Sequence, residues 1–147
     1  AIGKATGREY VPYKYHGAAD ATDLIVIMGS AVEACREAMT VLNAKGEKTG
    51  VLAIHMYRPF SPALFAAAIP KTVTRLTILD RDKDPAAAGE GLMQDVIAAL
   101  VRAKRVRQFD VIVGGRYGLS SCDFHSGHAA AVYMNARENT PMESFSV

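Results

Sequence analysis

The chain has 147 residues, half of them hydrophobic and 22% charged, enough to bury a core without staples and too apolar for a disordered segment. Its 17 basic and 15 acidic residues leave a net charge of +2, which excludes the strongly basic surface of a nucleic-acid-binding protein. Two cysteines, Cys35 and Cys122, cannot form a disulfide framework, and no apolar run approaches the roughly 20 residues that span a bilayer; a cytoplasmic domain with no membrane partner is expected.

Residues 1–9 read as a lead-in to a single domain occupying 1–147. Aromatics alternate from Tyr10 to Tyr15 around Pro12, and a proline inside such a run marks an edge strand. Leu24 to Met28 is continuously apolar, the pattern of a strand covered on both faces. Ser30 and Glu33 have capping-box spacing, and Val32, Cys35, Met39 and Leu42 follow at helical intervals. That helix should end between Asn43 and Gly46.

Val51 to Ile54 predicts the next strand, a buried one in which His55 would be a core histidine. Ser61 and Pro62 then supply an N-cap and first-turn proline for a short helix ending at Pro70. Leu76 to Leu79 is a further strand, and Gly91 to Arg102 a helix with Leu92, Val96, Ala99 and Leu100 on one face. The cations Arg102, Lys104, Arg105 and Arg107 cluster at its end, where they complement the helix dipole. Asp110 to Val113 is the last core strand, and a final helix should run from about Ser126 to Arg137, capped by Asp123 or Ser126. Alternating strands and helices predict an α/β sandwich with a mostly parallel sheet.

In such sheets ligands gather at the carboxyl ends of the strands. Three arginines, Arg58, Arg81 and Arg116, follow those ends, and Ser30 opens a helix at the same edge. They could contact an anion or an acidic partner; alternatively they pair with Asp80, Asp82, Asp84 and Glu90 to tie loops together. The glycines of Gly114 to Gly118 have neither dinucleotide nor phosphate-loop spacing and are expected to turn the chain out of its strand through positive φ. Cys122, His125 and His128 are metal-ligand types at a spacing of three, but no second Cys/His pair completes a site. No nucleophile elbow or carboxylate couple stands out, so no catalytic residue is assigned.

Several motifs in fixed order carry a resemblance: Ile27 to Ser30, Leu42 to Lys48, Tyr57 to Phe60, Leu79 to Arg81, and Val113 to Ser121. Together they resemble the second domain of pyruvate:ferredoxin (flavodoxin) oxidoreductase, related to the C-terminal domain of transketolase. The resemblance runs from about Gly7 to Val147. It implies a three-layer α/β/α sandwich whose five-stranded, mostly parallel sheet has its first strand antiparallel at or near an edge. It also implies a fragment of a longer multidomain chain, one that oxidatively decarboxylates pyruvate with coenzyme A to acetyl-CoA and CO2. That enzyme uses thiamine diphosphate, Mg2+ and [4Fe-4S] clusters and passes electrons to ferredoxin or flavodoxin. The implied partners of this segment are other domains of the same chain and a homodimer mate. It is expected to be non-catalytic itself, since the family's cofactor-binding residues lie in other domains. The family has lysine where Cys122 stands and Thr-Pro where His125 and Ser126 follow Phe124. An autonomous module binding an anion at the strand ends is the alternative.

Overall fold

The computed structural model describes residues 2–147; Ala1, the first residue of the expected lead-in, lies outside them. A short helix α1 (Ile2–Thr6) precedes the edge strand β1 (Tyr13–Gly17). Then follow β2 (Asp23–Met28), α2 (Ala31–Ala44), β3 (Thr49–Ile54), α3 (Pro62–Ala68), β4 (Arg75–Asp80) and α4 (Gly91–Arg102). The chain ends with β5 (Val111–Arg116), α5 (Ser126–Asn135) and β6 (Ser144–Ser146).

The sheet order is β1-β3-β2-β4-β5-β6, with β1 antiparallel to β3 and every other pairing parallel. The antiparallel edge strand is as expected, though it starts after Pro12 rather than at Tyr10. Five strands were expected and six are found. The sixth, Ser144 to Ser146, pairs with Gly114 to Arg116; three residues with one buried side chain carry no readable strand pattern.

Alternation along the strands divides two cores. Ile25, Ile27, Val51, Ala53 and Val113 face α2 and α5, whereas Leu24, Val26, Leu52, Leu76 and Ile78 face α3 and α4. Both faces are therefore covered, which is why the strands read as unbroken apolar runs. In α4 the four residues placed on one face, Leu92, Val96, Ala99 and Leu100, are all buried.

Several local expectations are corrected. Ser30 has helical φ/ψ and its hydroxyl accepts no cap bond; Glu33 instead pairs with Arg36 at 2.9 Å, so no capping box forms. His125, not Asp123 or Ser126, caps α5: its Nδ1 accepts from the Gly127 N–H at 3.1 Å. His55 lies one residue beyond β3 and is exposed, its Nδ1 3.3 Å from the Val11 carbonyl. The strand ends with its apolar run at Ile54, so His55 falls outside it. Ser61 does cap α3, accepting from the Leu64 N–H at 3.5 Å.

The Arg105 side chain does not serve the end of its own helix. Its guanidinium donates to the carbonyls of Ala66 and Ile69, the open end of α3, the latter at 3.0 Å. Gln108 completes this clamp on the carbonyls of Pro70 and Val73, at 2.9 and 2.8 Å. Arg105→Ala is expected to lower stability by about 2 kcal/mol, since charged hydrogen bonds are lost and the Ile69 carbonyl loses its donor. Arg105→Lys should recover little, because one ammonium cannot span carbonyls that the guanidinium fork bridges. Urea unfolding of the two variants checks this.

Candidate functional site

The order β3-β2-β4 places a switch in winding direction between β2 and β4, where an open α/β sheet leaves a crevice at its carboxyl edge. Three segments build it. Gly29, with φ +77°, turns the chain out of β2 and brings Ser30 and the first turn of α2 to the edge. Arg81 follows β4 directly. After β5, Tyr117 folds back, its hydroxyl donating to the Met28 carbonyl at 2.8 Å, and its ring packs on Phe124 with centroids 5.3 Å apart. Burial raises the Tyr117 pKa, which keeps the phenol a donor at neutral pH. The result is a small crevice of about 240 Å3 lined by Ser30, Arg81, Tyr117, Gly118, Cys122 and Asp123, among others.

The structure thus brings two of the four candidate anion contacts, Ser30 and Arg81, into one crevice and sends the other two elsewhere. Arg81 donates through Nε to the Gly118 carbonyl at 3.2 Å and makes no ion pair among the described residues. Arg116 pairs through Nε with Glu90, whose other oxygen accepts the Asp84 N–H at 2.7 Å. Both belong to a separate cleft of about 480 Å3 between the 87–90 loop, Met93, β5 and β6. Arg58 lies over the Tyr57 ring, 3.9 Å from its centroid, and pairs with Asp95 at 2.7 Å. Tyr57 donates to the same carboxylate at 2.7 Å; burial, and then this bond, push its phenol up to about 12.

Of the carboxylates expected to pair with these arginines, only Glu90 does so. Asp80 is 9% exposed and instead accepts the Leu92 N–H at 2.8 Å, fastening the start of α4 to the end of β4. Burial raises its pKa. Asp95 was not foreseen, because it lies inside a helical run and is brought to Arg58 only by tertiary packing.

The glycines of β5 are not turn residues. Gly114 and Gly115 lie inside the strand without positive φ; Gly118, at φ +62°, is the one that turns the chain. A Cβ on Gly114 would collide with the Met93 sulfur, and one on Gly115 with the Phe145 ring. The pair is small so that α4 and β6 can approach.

Cys122 is exposed, and His125 and His128 stack on each other with centroids 3.9 Å apart, His128 also facing Phe124 at 6.0 Å. With the His125 Nδ1 committed to the helix cap, this ring pair is arranged as packing. No group of three or more His, Cys, Asp or Glu side chains gathers for a metal ion among the described residues. Nor do the cysteines fit an iron–sulfur cluster: there are two, and burial pushes the Cys35 thiol to about 12. No helix among the described residues is long and apolar enough to cross a membrane.

A mixed six-stranded sheet, helices on both faces and an antiparallel edge strand define a three-layer α/β domain. A solved structure of this fold is 2-oxoglutarate:ferredoxin oxidoreductase from Magnetococcus marinus, with 2-oxoglutarate, coenzyme A and succinyl-CoA bound. It matches with a TM-score of 0.60 and 17% identity over 88% of this chain and 20% of that one. Residues 21–119 match the family model for pyruvate:ferredoxin oxidoreductase core domain II, and the chain belongs to that family. Among its relatives, a pyruvate-flavodoxin oxidoreductase of Nostoc sp. (strain PCC 7120 / SAG 25.82 / UTEX 2576) is 41% identical over 99% of this chain and 13% of its own length. One from Klebsiella pneumoniae is 44% identical over 99% of this chain and 12% of its own. The chain spans between 12% and 35% of the length of such relatives.

Proposed function

We propose that residues 1–147 form a non-catalytic structural domain of a longer pyruvate:ferredoxin (flavodoxin) oxidoreductase. In this reading the whole enzyme oxidatively decarboxylates pyruvate with coenzyme A, giving acetyl-CoA and CO2, and hands the electrons to ferredoxin or flavodoxin. Thiamine diphosphate, Mg2+ and [4Fe-4S] clusters are held by its other domains, and the enzyme works as a homodimer in the cytoplasm.

The observation that carries this reading is the coverage: nearly all of this chain aligns with about an eighth of enzymes bearing that name. The side chains at the sheet edge agree with it. Arg116 and Arg58 are engaged by Glu90 and Asp95, and His125 by a helix cap, so these groups hold loops and helices in place. Assay of the full-length enzyme tests both halves of the proposal. It should reduce flavodoxin only with pyruvate and coenzyme A present, and Arg81→Ala and Cys122→Ser should each leave kcat and KM within about twofold. A loss of tenfold or more in either variant (about 1.4 kcal/mol of transition-state stabilisation) would place chemistry in this domain.

A second reading, an anion held at the carboxyl edge, now narrows to Arg81 and Ser30, because they share a crevice and Arg81 has no carboxylate partner among the described residues. Saturable binding of coenzyme A or inorganic phosphate by calorimetry, lost in Arg81→Ala, would establish it.

A further inference from the structure

At the opposite end of the sheet from that crevice, α4 closes with bonds from the Lys104 N–H to the Val101 carbonyl at 3.0 Å and from the Arg105 N–H to Leu100 at 2.9 Å. This is the Schellman arrangement, whose left-handed residue is ordinarily glycine. The chain builds the same motif at the end of α2, and there Gly46 takes the left-handed position at φ +86°. In α4 that position is occupied by Lys104 at φ +56°. A side chain there is strained, and glycine would relieve the strain. Lys104 therefore occupies this position at a cost in local stability.

Its surroundings show what it adds. Val101 is 58% exposed and Val106 36%, and with Lys104 and Arg107 they line a shallow depression of about 360 Å3. Arg102 adjoins it. None of Arg102, Lys104 and Arg107 has a carboxylate within 4.0 Å among the described residues, so three neighbouring charges stand unneutralised beside two exposed valines. The patch combines an apolar centre with an unneutralised cationic rim, the makeup of an interface awaiting its complement.

We propose that this α4 corner docks an acidic, apolar-centred surface lying outside residues 1–147 in the same polypeptide. The charge complementarity defines the occupant's chemistry, and the relatives' length, about eight times this chain, supplies chain to furnish it. A covalently linked neighbour also acts at high effective concentration, so a modest patch suffices. The proposal rests on the chain being part of a longer enzyme.

The test compares acylation of Lys104 and Lys45 in the full-length enzyme, since both are exposed lysines at helix carboxyl ends. Lys104 should react at least tenfold more slowly at 0.1 M salt and approach the Lys45 rate at 1 M, where screening shortens to about 3 Å. Zero-length carbodiimide coupling should join Lys104 to an aspartate or glutamate elsewhere in the same chain. Lys104→Gly should keep the circular dichroism of the parent yet speed proteolysis at the domain boundary at least fivefold. Equal acylation rates overturn the proposal. So does protection that appears only on adding phosphatidylserine vesicles, duplex DNA or a separate protein. A free Lys104 in an active enzyme removes this interface alone, whereas a reading frame ending at Val147 removes the parent reading itself.

Discussion

Asp23→Ala should destabilise the domain by about 3 kcal/mol in urea unfolding, an effect as large as emptying part of the apolar core. Asp23 opens β2 and is 2% exposed. Its carboxylate accepts from Arg75 at 2.7 Å, from Arg137 at 3.2 Å and from the Thr22 hydroxyl at 2.7 Å. Arg137 also donates to Glu47 at 2.6 Å, so a single buried charge joins β2, β4, the end of α5 and the loop before β3. Removing it leaves two guanidinium groups beside each other with nothing between them. Their side chains are 31% exposed, which lets water compensate part of the loss and places the value low in the range for broken buried pairs.

The same residue sets an acid limb. Burial alone would raise the Asp23 pKa, but the bonds from Arg75, Thr22 and Arg137 outweigh it and hold the carboxyl below its usual range. A carboxyl depressed in the folded state adds stability above its unfolded pKa of about 3.9 and loses it as pH falls through the folded value. The urea midpoint should therefore decline below about pH 4, and Asp23→Asn should flatten that decline. An unchanged slope in Asp23→Asn would show that other carboxyls govern it.

Gly115→Ala is expected to lower stability by about 2 to 3 kcal/mol, in the range of overpacked cores. The added methyl would be driven into the Phe145 ring and would lie 2.9 Å from Leu79 Cδ2. Leu79 is in the central β4 and cannot yield, so Phe145 and the three-residue β6 should give way. Amide exchange should report this as lost protection at Val147, whose N–H donates to the Arg116 carbonyl at 2.9 Å. Gly114→Ala is the control. Its methyl meets the Met93 thioether, a flexible group able to swing aside, and the effect should be at most half as large. Equal losses in the two variants would mean that backbone entropy, not packing, makes these positions glycine.

Those two residues also show where reading the chain as a string stops. The string marked Gly114 and Gly115 as special, but it cannot distinguish a glycine needed for φ from one needed for absence of bulk. That distinction depends on Met93 and Phe145, which are 21 or more residues away in the chain. The arginines behave alike. Their position after strand ends was legible, whereas their fates depended on Asp95 in α4 and Glu90 just before it. His125 looked like a ligand and Ser126 a cap, and local backbone geometry gives the cap to His125.

What the sequence determined by itself was whatever depends on neighbours within a few positions. Unbroken apolar runs marked four core strands, helical spacing marked α4 to the residue, and motifs in fixed order identified the family. Only the tertiary structure decided the sixth strand, the crevice that keeps Ser30 and Arg81 but not Arg58 or Arg116, and the clamp of Arg105 on another helix. Each of these rests on contacts between segments distant in sequence. Local periodicity records which side of an element is buried, but not which group it will meet there.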